Sequence, residues 1–282
     1  MTDPKWERYA AAAGLGAAGL LALQMLVAPL YPWVDDQPVR IVTYYSANAS
    51  AIRVQILLAG LAGVLFLWWI GSLRVHLRRA EEDPGRLSAV AFGSAIAAVG
   101  IAAFGGVAML AAVNGPAPVA GAVPFGGGFP SRADIGIIPF HELRLDSYTI
   151  SWFALAPMLA SVAVVTARDG AFPRWHMNAS YALAILSLGT GLSVLIDTGP
   201  FAPGGVFTLV LYALFVLWLG VTSWLLMRTY EPSGGPVGAP QTSPDDTERL
   251  SPGSFPAAPP DTDVSPGGSG SNAEVTPPRN AR

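Results

Sequence analysis

Three histidines, a knot of acids and hydroxyls, and one polar face on an apolar stretch are the groups in this chain that could do chemistry. The histidines are His76, His141 and His176. His76 and His176 fall at one end of the apolar stretches described below, and His141 at the other. That separation excludes a three-histidine metal site within one chain. No His-x-x-x-His spacing sets two imidazoles on one helix face. A haem held by His76 and His176 is the remaining pairing, but both also suit polar positions at a membrane interface. The chain has no cysteine, which excludes disulfides, thiolate metal sites and a thiol nucleophile. No metal or cofactor is expected.

His141-Glu142, Asp146 and Ser151 hold the residue types of a hydrolytic triad. A triad needs geometry rather than nearness in sequence, and no Gly-x-Ser-x-Gly turn is present. Gly126-Gly127-Gly128 lacks the spacing and the lysine of a phosphate loop. The expectation is a non-enzymatic chain. The remaining set is Ser180, Ser187, Thr190 and Asp197, which share about 100° of arc at 3.6 residues per turn. Polar groups at membrane depth face a cavity or a partner helix. Such a stripe would line a solute or proton path, or simply pack. Gln24 and Gln55 are placed to bond each other or the stripe, and Arg53 to pair with Asp197.

The elements that carry these residues are six apolar stretches, about 9–30, 51–73, 87–113, 148–167, 177–197 and 206–227. Each approaches the roughly 20 residues that span a bilayer core. The chain is 52% hydrophobic and 12% charged, with mean hydropathy +0.45, far less charged than the roughly 25% of soluble domains. The sequence therefore predicts an all-α, polytopic membrane bundle of six transmembrane helices over 1–230. The first stretch runs about 21 residues, longer than the roughly 7–15 of a signal core, and is read as a retained helix.

Alternating the sides gives Lys5, Arg8, Arg74, Arg78, Arg79, Arg86, Arg168, Arg174 and Arg228 to one face. Arg40, Arg53, Arg132 and Arg144 fall on the other. Basic loops stay cytoplasmic, so both termini are expected inside, with 31–50, 114–147 and 198–205 outside. Tyr31, Trp33, Trp68, Trp69 and Trp224 lie where aromatic residues anchor helices at the headgroups. Small residues at spacing four, Ala10-Gly14-Ala18 in the first helix and Ser94-Ala98-Ala102-Gly106 in the third, predict two central, closely packed helices. Pro157 predicts a kink in the fourth. The Pro-, Ser- and Gly-rich tail, 231–282, cannot bury enough surface to order itself and is expected to be a disordered cytoplasmic segment.

Three stretches carry a resemblance. They are Tyr44-Tyr45-Ser46-Ala47-Asn48; the run from Phe66-Leu67-Trp68-Trp69-Ile70-Gly71-Ser72-Leu73-Arg74 through Arg78-Arg79-Ala80-Glu81 to Pro84-Gly85-Arg86-Leu87-Ser88-Ala89; and Pro173-Arg174-Trp175 with Gly199-Pro200-Phe201-Ala202-Pro203-Gly204-Gly205. In these the chain resembles a group of actinobacterial six-helix integral membrane proteins without an established activity. The residues His176-Met177-Asn178 depart from the more apolar run expected there. The resemblance implies a bacterial inner-membrane location and transfers no catalytic or binding residue. The function expected is that of an envelope or interaction protein, its partners lipid and other membrane proteins and not nucleic acid. The alternative is a small-solute or proton transporter built on the fifth-helix stripe.

Overall fold

The computed structural model describes residues 4–27, 31–33, 36–81, 84–114, 136–196 and 198–230. Among them the α-helices are α1 (Pro4–Val27), α2 (Pro38–Ala47), α3 (Ala49–Ala80), α4 (Arg86–Asn114), α5 (Ile137–Asp169), α6 (Arg174–Leu192) and α7 (Val206–Thr229). All but α2 are long and apolar enough to cross a membrane. The fold is thus an all-α bundle of six candidate membrane-spanning helices. Exposed side chains such as Leu57, Val64, Ile185 and Leu217 stud its outer surface, as lipid contact requires and water would penalise. The tail 231–282 and the loop residues 115–135 lie outside the described residues.

Two helices differ in extent from the sequence expectation for a physical reason. α5 begins at Ile137, eleven residues before 148, and takes in His141, Glu142, Arg144 and Asp146. Those charges lower the hydropathy of the segment, yet its buried positions Ile137, His141, Leu145 and Trp152 recur at helical spacing. α6 closes at Leu192 and passes through a single 3-10 turn, Ser193–Leu195, rather than running to 197. The connection 31–50 also holds an unforeseen element. α2 starts with Pro38 in its first turn, where the missing N–H costs nothing. It turns Ile41, Tyr44 and Tyr45 inward. Asn48 ends it by donating from Nδ2 to the Tyr44 carbonyl, 2.9 Å away.

The spanning helices pack in the order α1, α3, α4, α5, α6, α7, and α7 returns to α1, closing a ring. Inside it an aromatic stack links α3, α5 and α7: Phe66 to Trp69 (5.3 Å between centroids), Trp69 to Trp218 (6.2 Å), Trp218 to Phe215 (6.0 Å) and Phe215 to Trp152 (5.8 Å). Trp69 is therefore core and not a headgroup anchor; its neighbour Trp68 is exposed. The central helix is α5, 61% buried over its most apolar window against 28% for both α1 and α4. This corrects the expectation that the first and third spans are central. A helix buried on several faces shows no single small-residue stripe, so spacing alone does not reveal it. α5 continues unbroken through Pro157, whose ring faces outward.

The small-residue reading holds for α1 and fails for α4. Gly14 of α1 is buried. A Cβ there would collide with Ser223 Oγ and with the Trp69 indole, whose Nε1 would lie 2.6 Å away. On α4 the buried face is Ala91, Ala95, Ala98, Gly105, Ala108 and Ala112, while Ala102 is exposed and Gly106 meets nothing within 4 Å. Both faces are rich in small residues, although the buried one also carries Met109. Only the partner helices distinguish them.

Helix ends follow local chemistry. Gly170, at φ +70°, closes α5 by donating to the Thr166 carbonyl at 3.1 Å, the left-handed cap that favours glycine. Across the α3–α4 turn the Glu81 carboxylate accepts from the backbone N–H groups of Leu87 (2.9 Å) and Ser88 (3.0 Å), capping α4 from the preceding helix. Desolvation, the largest single influence, pushes this carboxyl up. The bonds from Leu87 and Ser88, with the Arg78 charge, outweigh that and hold it below the usual carboxylate range. Its contribution is therefore present above the unfolded carboxyl value of about 4.3 and is lost as pH falls through the lower folded value. Glu81→Ala is expected to cost about 1 kcal/mol at neutral pH, the usual scale of a lost cap. Thermal unfolding in detergent should show this gap closing below about pH 4.

Candidate functional site

Two buried polar clusters, one toward each end of the bundle, hold His176 and Ser180, and His141, Gln24 and Gln55. The first joins α6 to α7. Ser180, Ser187 and Thr190 lie together on the buried face of α6. The Trp218 indole Nε1 donates to Ser180 Oγ at 2.9 Å, and Ser180 Oγ donates to the His176 carbonyl at 2.9 Å. His176 Nε2 bonds Thr222 Oγ1 at 2.8 Å, and Thr222 Oγ1 donates to the Trp218 carbonyl at 2.7 Å. Thr222 has one hydroxyl proton and spends it on that carbonyl, so Nε2 of His176 must be the donor. The four residues thus close a loop of hydrogen bonds. The His176 ring stacks on Trp218 with 5.6 Å between centroids, and the two helices are clasped.

This arrangement settles what the polar face touches. Ser180 is bonded on both sides. Thr190 donates to the Leu186 carbonyl at 3.0 Å. Ser187 Oγ is buried and makes no hydrogen bond. A pocket of about 360 Å³ lies elsewhere, on the apolar outer face of α7 at Val216, Leu217, Gly220, Val221 and Trp224. Asp197 lies outside the described residues, so its place on the stripe and its pairing with Arg53 are not described. Arg53 itself donates to Asn114 Oδ1 at 3.0 Å.

His176 is fully buried and His76 half-buried, each within about a turn of a helix end. Both pack on the Phe172 ring, at 4.8 and 4.6 Å between centroids. His76 Nε2 is engaged by the Ala171 carbonyl at 2.9 Å, and His176 Nε2 by Thr222. Haem ligation through the Nε2 atoms would require both bonds to break. Among the described residues no group of three or more His, Asp or Glu is set to hold a metal.

The second cluster lies at the opposite end, under α2. Tyr45 Oη and His141 Nδ1 are hydrogen-bonded at 3.1 Å. Tyr31, Tyr44, Tyr45 and His141 follow one another at 5.4, 5.7 and 5.7 Å between centroids. The Arg144 guanidinium lies 3.5 Å from the centre of the Tyr31 ring, a cation–π contact. Burial pushes the Tyr45 hydroxyl up to about 12 and raises Tyr31 and Tyr44 as well, against the opposing pull of Arg144. All three are neutral at physiological pH.

Below them a polar relay crosses the helices. Tyr31 Oη donates to Gln55 Oε1, Gln55 Nε2 to the Gln24 carbonyl at 2.8 Å, Gln24 Nε2 to Tyr212 Oη, and Tyr212 Oη to the Leu21 carbonyl at 3.0 Å. The expected meeting of Gln24 and Gln55 thus occurs through a side chain and a backbone carbonyl. Neither glutamine joins the α6 stripe.

The triad residues share one helix without forming a triad. His141 and Ser151 are ten residues apart, about 15 Å along the axis. Ser151 Oγ donates to the Tyr148 carbonyl at 2.6 Å. The residues that sequence reasoning passed over are Trp218, Thr222, Tyr45, Tyr212 and Glu81. Each acts through a partner distant in sequence or across a turn. The only local signal was the Tyr44–Asn48 and Arg78–Ala89 motif context. Compared with models of protein families, with curated proteins and with solved structures, the chain matches none.

Proposed function

We propose that this chain is a non-enzymatic structural or interaction protein of the bacterial inner membrane, with both termini in the cytoplasm. The observation that carries the reading is the clasp of His176, Ser180, Trp218 and Thr222. The polar atoms best placed to line a path through the bilayer are spent on holding α6 to α7. The transporter reading needs that face open. The orientation rests on the arginine-rich ends of α3, α5 and α7, at Arg78, Arg79, Arg168 and Arg228. The chain presents apolar outer faces and its loops to other membrane components.

A photoreactive amino acid at Ile185 or Leu217, both exposed, tests this in cells. Discrete protein adducts on irradiation are expected, with solute uptake unchanged in a deletion strain. Lipid adducts alone, together with loss of uptake of one solute on deletion, would refute the proposal in favour of transport.

A further inference from the structure

The Arg144 guanidinium is the one charge that the described bundle leaves half-buried beside a dense aromatic cluster without a counter-charge. Its Nη1 is buried and makes no hydrogen bond. One helical turn away on its own helix stand Phe140, His141, Ser147 and Tyr148, none of them acidic. Glu142 and Asp146, two residues away, point to other faces. Asp36, which bears on neighbouring His141, is already engaged by Arg40 at 2.5 Å and by the Trp33 N–H at 2.7 Å. No ion pair of Arg144 is found among the described residues.

His141 lies three residues earlier on the same face. Its Nδ1 is hydrogen-bonded to the Tyr45 hydroxyl, and its ring is within hydrogen-bonding reach of the Trp33 backbone. The buried Arg144 Nη1 therefore calls for an acceptor. A guanidinium with one edge unpaired at the edge of hydrocarbon calls for an anion in particular, because leaving it uncompensated is costly.

Depth narrows the choice. α5 has 33 residues, about 50 Å at 1.5 Å per residue, against a hydrocarbon core of about 30 Å. Centred on that core it projects about 10 Å at each end. Arg144, seven residues from its start, lies about 10 Å along the axis, at the hydrocarbon boundary and within side-chain reach of the lipid phosphates. We propose that Arg144 binds a phosphate group at the headgroup level on the side of the membrane opposite the arginine-rich helix ends. Guanidinium suits this task through its fork of donors. The stacked Tyr31 ring holds the fork in place while presenting no competing charge.

The test uses the full-length chain, stripped of lipid in a neutral detergent and heated with either inorganic phosphate or dioctanoyl phosphatidylglycerol, at constant ionic strength. At a hundredfold excess over half-saturation, a bound phosphate group should raise the unfolding midpoint by about 5 °C. Arg144→Gln should lose this response. A response to the lipid alone assigns the site to a headgroup, and a response to both assigns it to free phosphate; either result supports the site. No response in wild type, or an equal response in Arg144→Gln, overturns it. Should Arg144→Gln fail to fold, Arg144→Lys replaces it. A half-saturating concentration unchanged from wild type then overturns the proposal, because lysine keeps the charge and loses the fork.

Discussion

Gly14→Ala should destabilise the bundle by about 3 kcal/mol, at the upper end of what overpacking a core costs. Glycine is the worst helix former after proline, so alanine in its place ordinarily helps a helix by about 1 kcal/mol. Here the added methyl would enter the space of Ser223 Oγ on α7 and of the Trp69 indole on α3. Ser223 is fixed by its bond to the Leu219 carbonyl at 2.8 Å. Trp69 is fully buried and wedged between Phe66 and Trp218. Neither side chain can yield without disturbing the ring, so α1 would have to move outward as a body. Gly60→Ala on α3 supplies the control, since nothing lies within 4 Å of that position; it should be neutral or mildly stabilising. Unfolding midpoints in one detergent decide the matter. Equal effects at the two glycines would mean that α1 does not pack as described.

The second large effect is predicted at the clasp. Ser180→Ala removes the acceptor of the Trp218 indole and leaves a buried N–H unpaired, at a cost of about 1–3 kcal/mol. Trp218→Phe removes the donor and some stacked surface. The double variant has no orphan at this contact, so its loss should fall short of the sum of the two single losses by about 1 kcal/mol or more. Simple additivity would show that the 2.9 Å contact contributes nothing to holding α6 against α7.

The sequence shows where hydrocarbon acts on this chain, and much less of what its polar groups touch. Length and hydropathy are local sums, so all six spans are legible, and the common face of Ser180, Ser187 and Thr190 follows from helical periodicity. The partner of that face does not. Ser180 meets Trp218 and Gln24 meets Tyr212 across 38 and 188 residues, and periodicity within one helix carries nothing about either. His141 and Arg144 read as loop because charge lowers hydropathy, although their spacing on α5 is helical. Trp69 reads as an anchor because indole suits the headgroup layer; its burial depends on Gly14 making room on another helix. Glu81 looks like one charge in a basic stretch until the turn at Gly85, at φ +73°, brings the start of α4 to it.

The central claim is that the polar face of α6 is packed and dry, and the natural absence of cysteine allows a direct measurement. Single cysteines are placed at Ser187 and Thr190 on that face, at Ser46 on α2 and at Thr229 at the end of α7, and each is exposed to a membrane-impermeant maleimide in intact and in permeabilised cells. Ser46→Cys should label in intact cells, Thr229→Cys only after permeabilisation, and Ser187→Cys and Thr190→Cys in neither. Rapid labelling at Ser187 from either side would mean that water reaches the middle of α6, and the packed bundle described here would give way to a conduit.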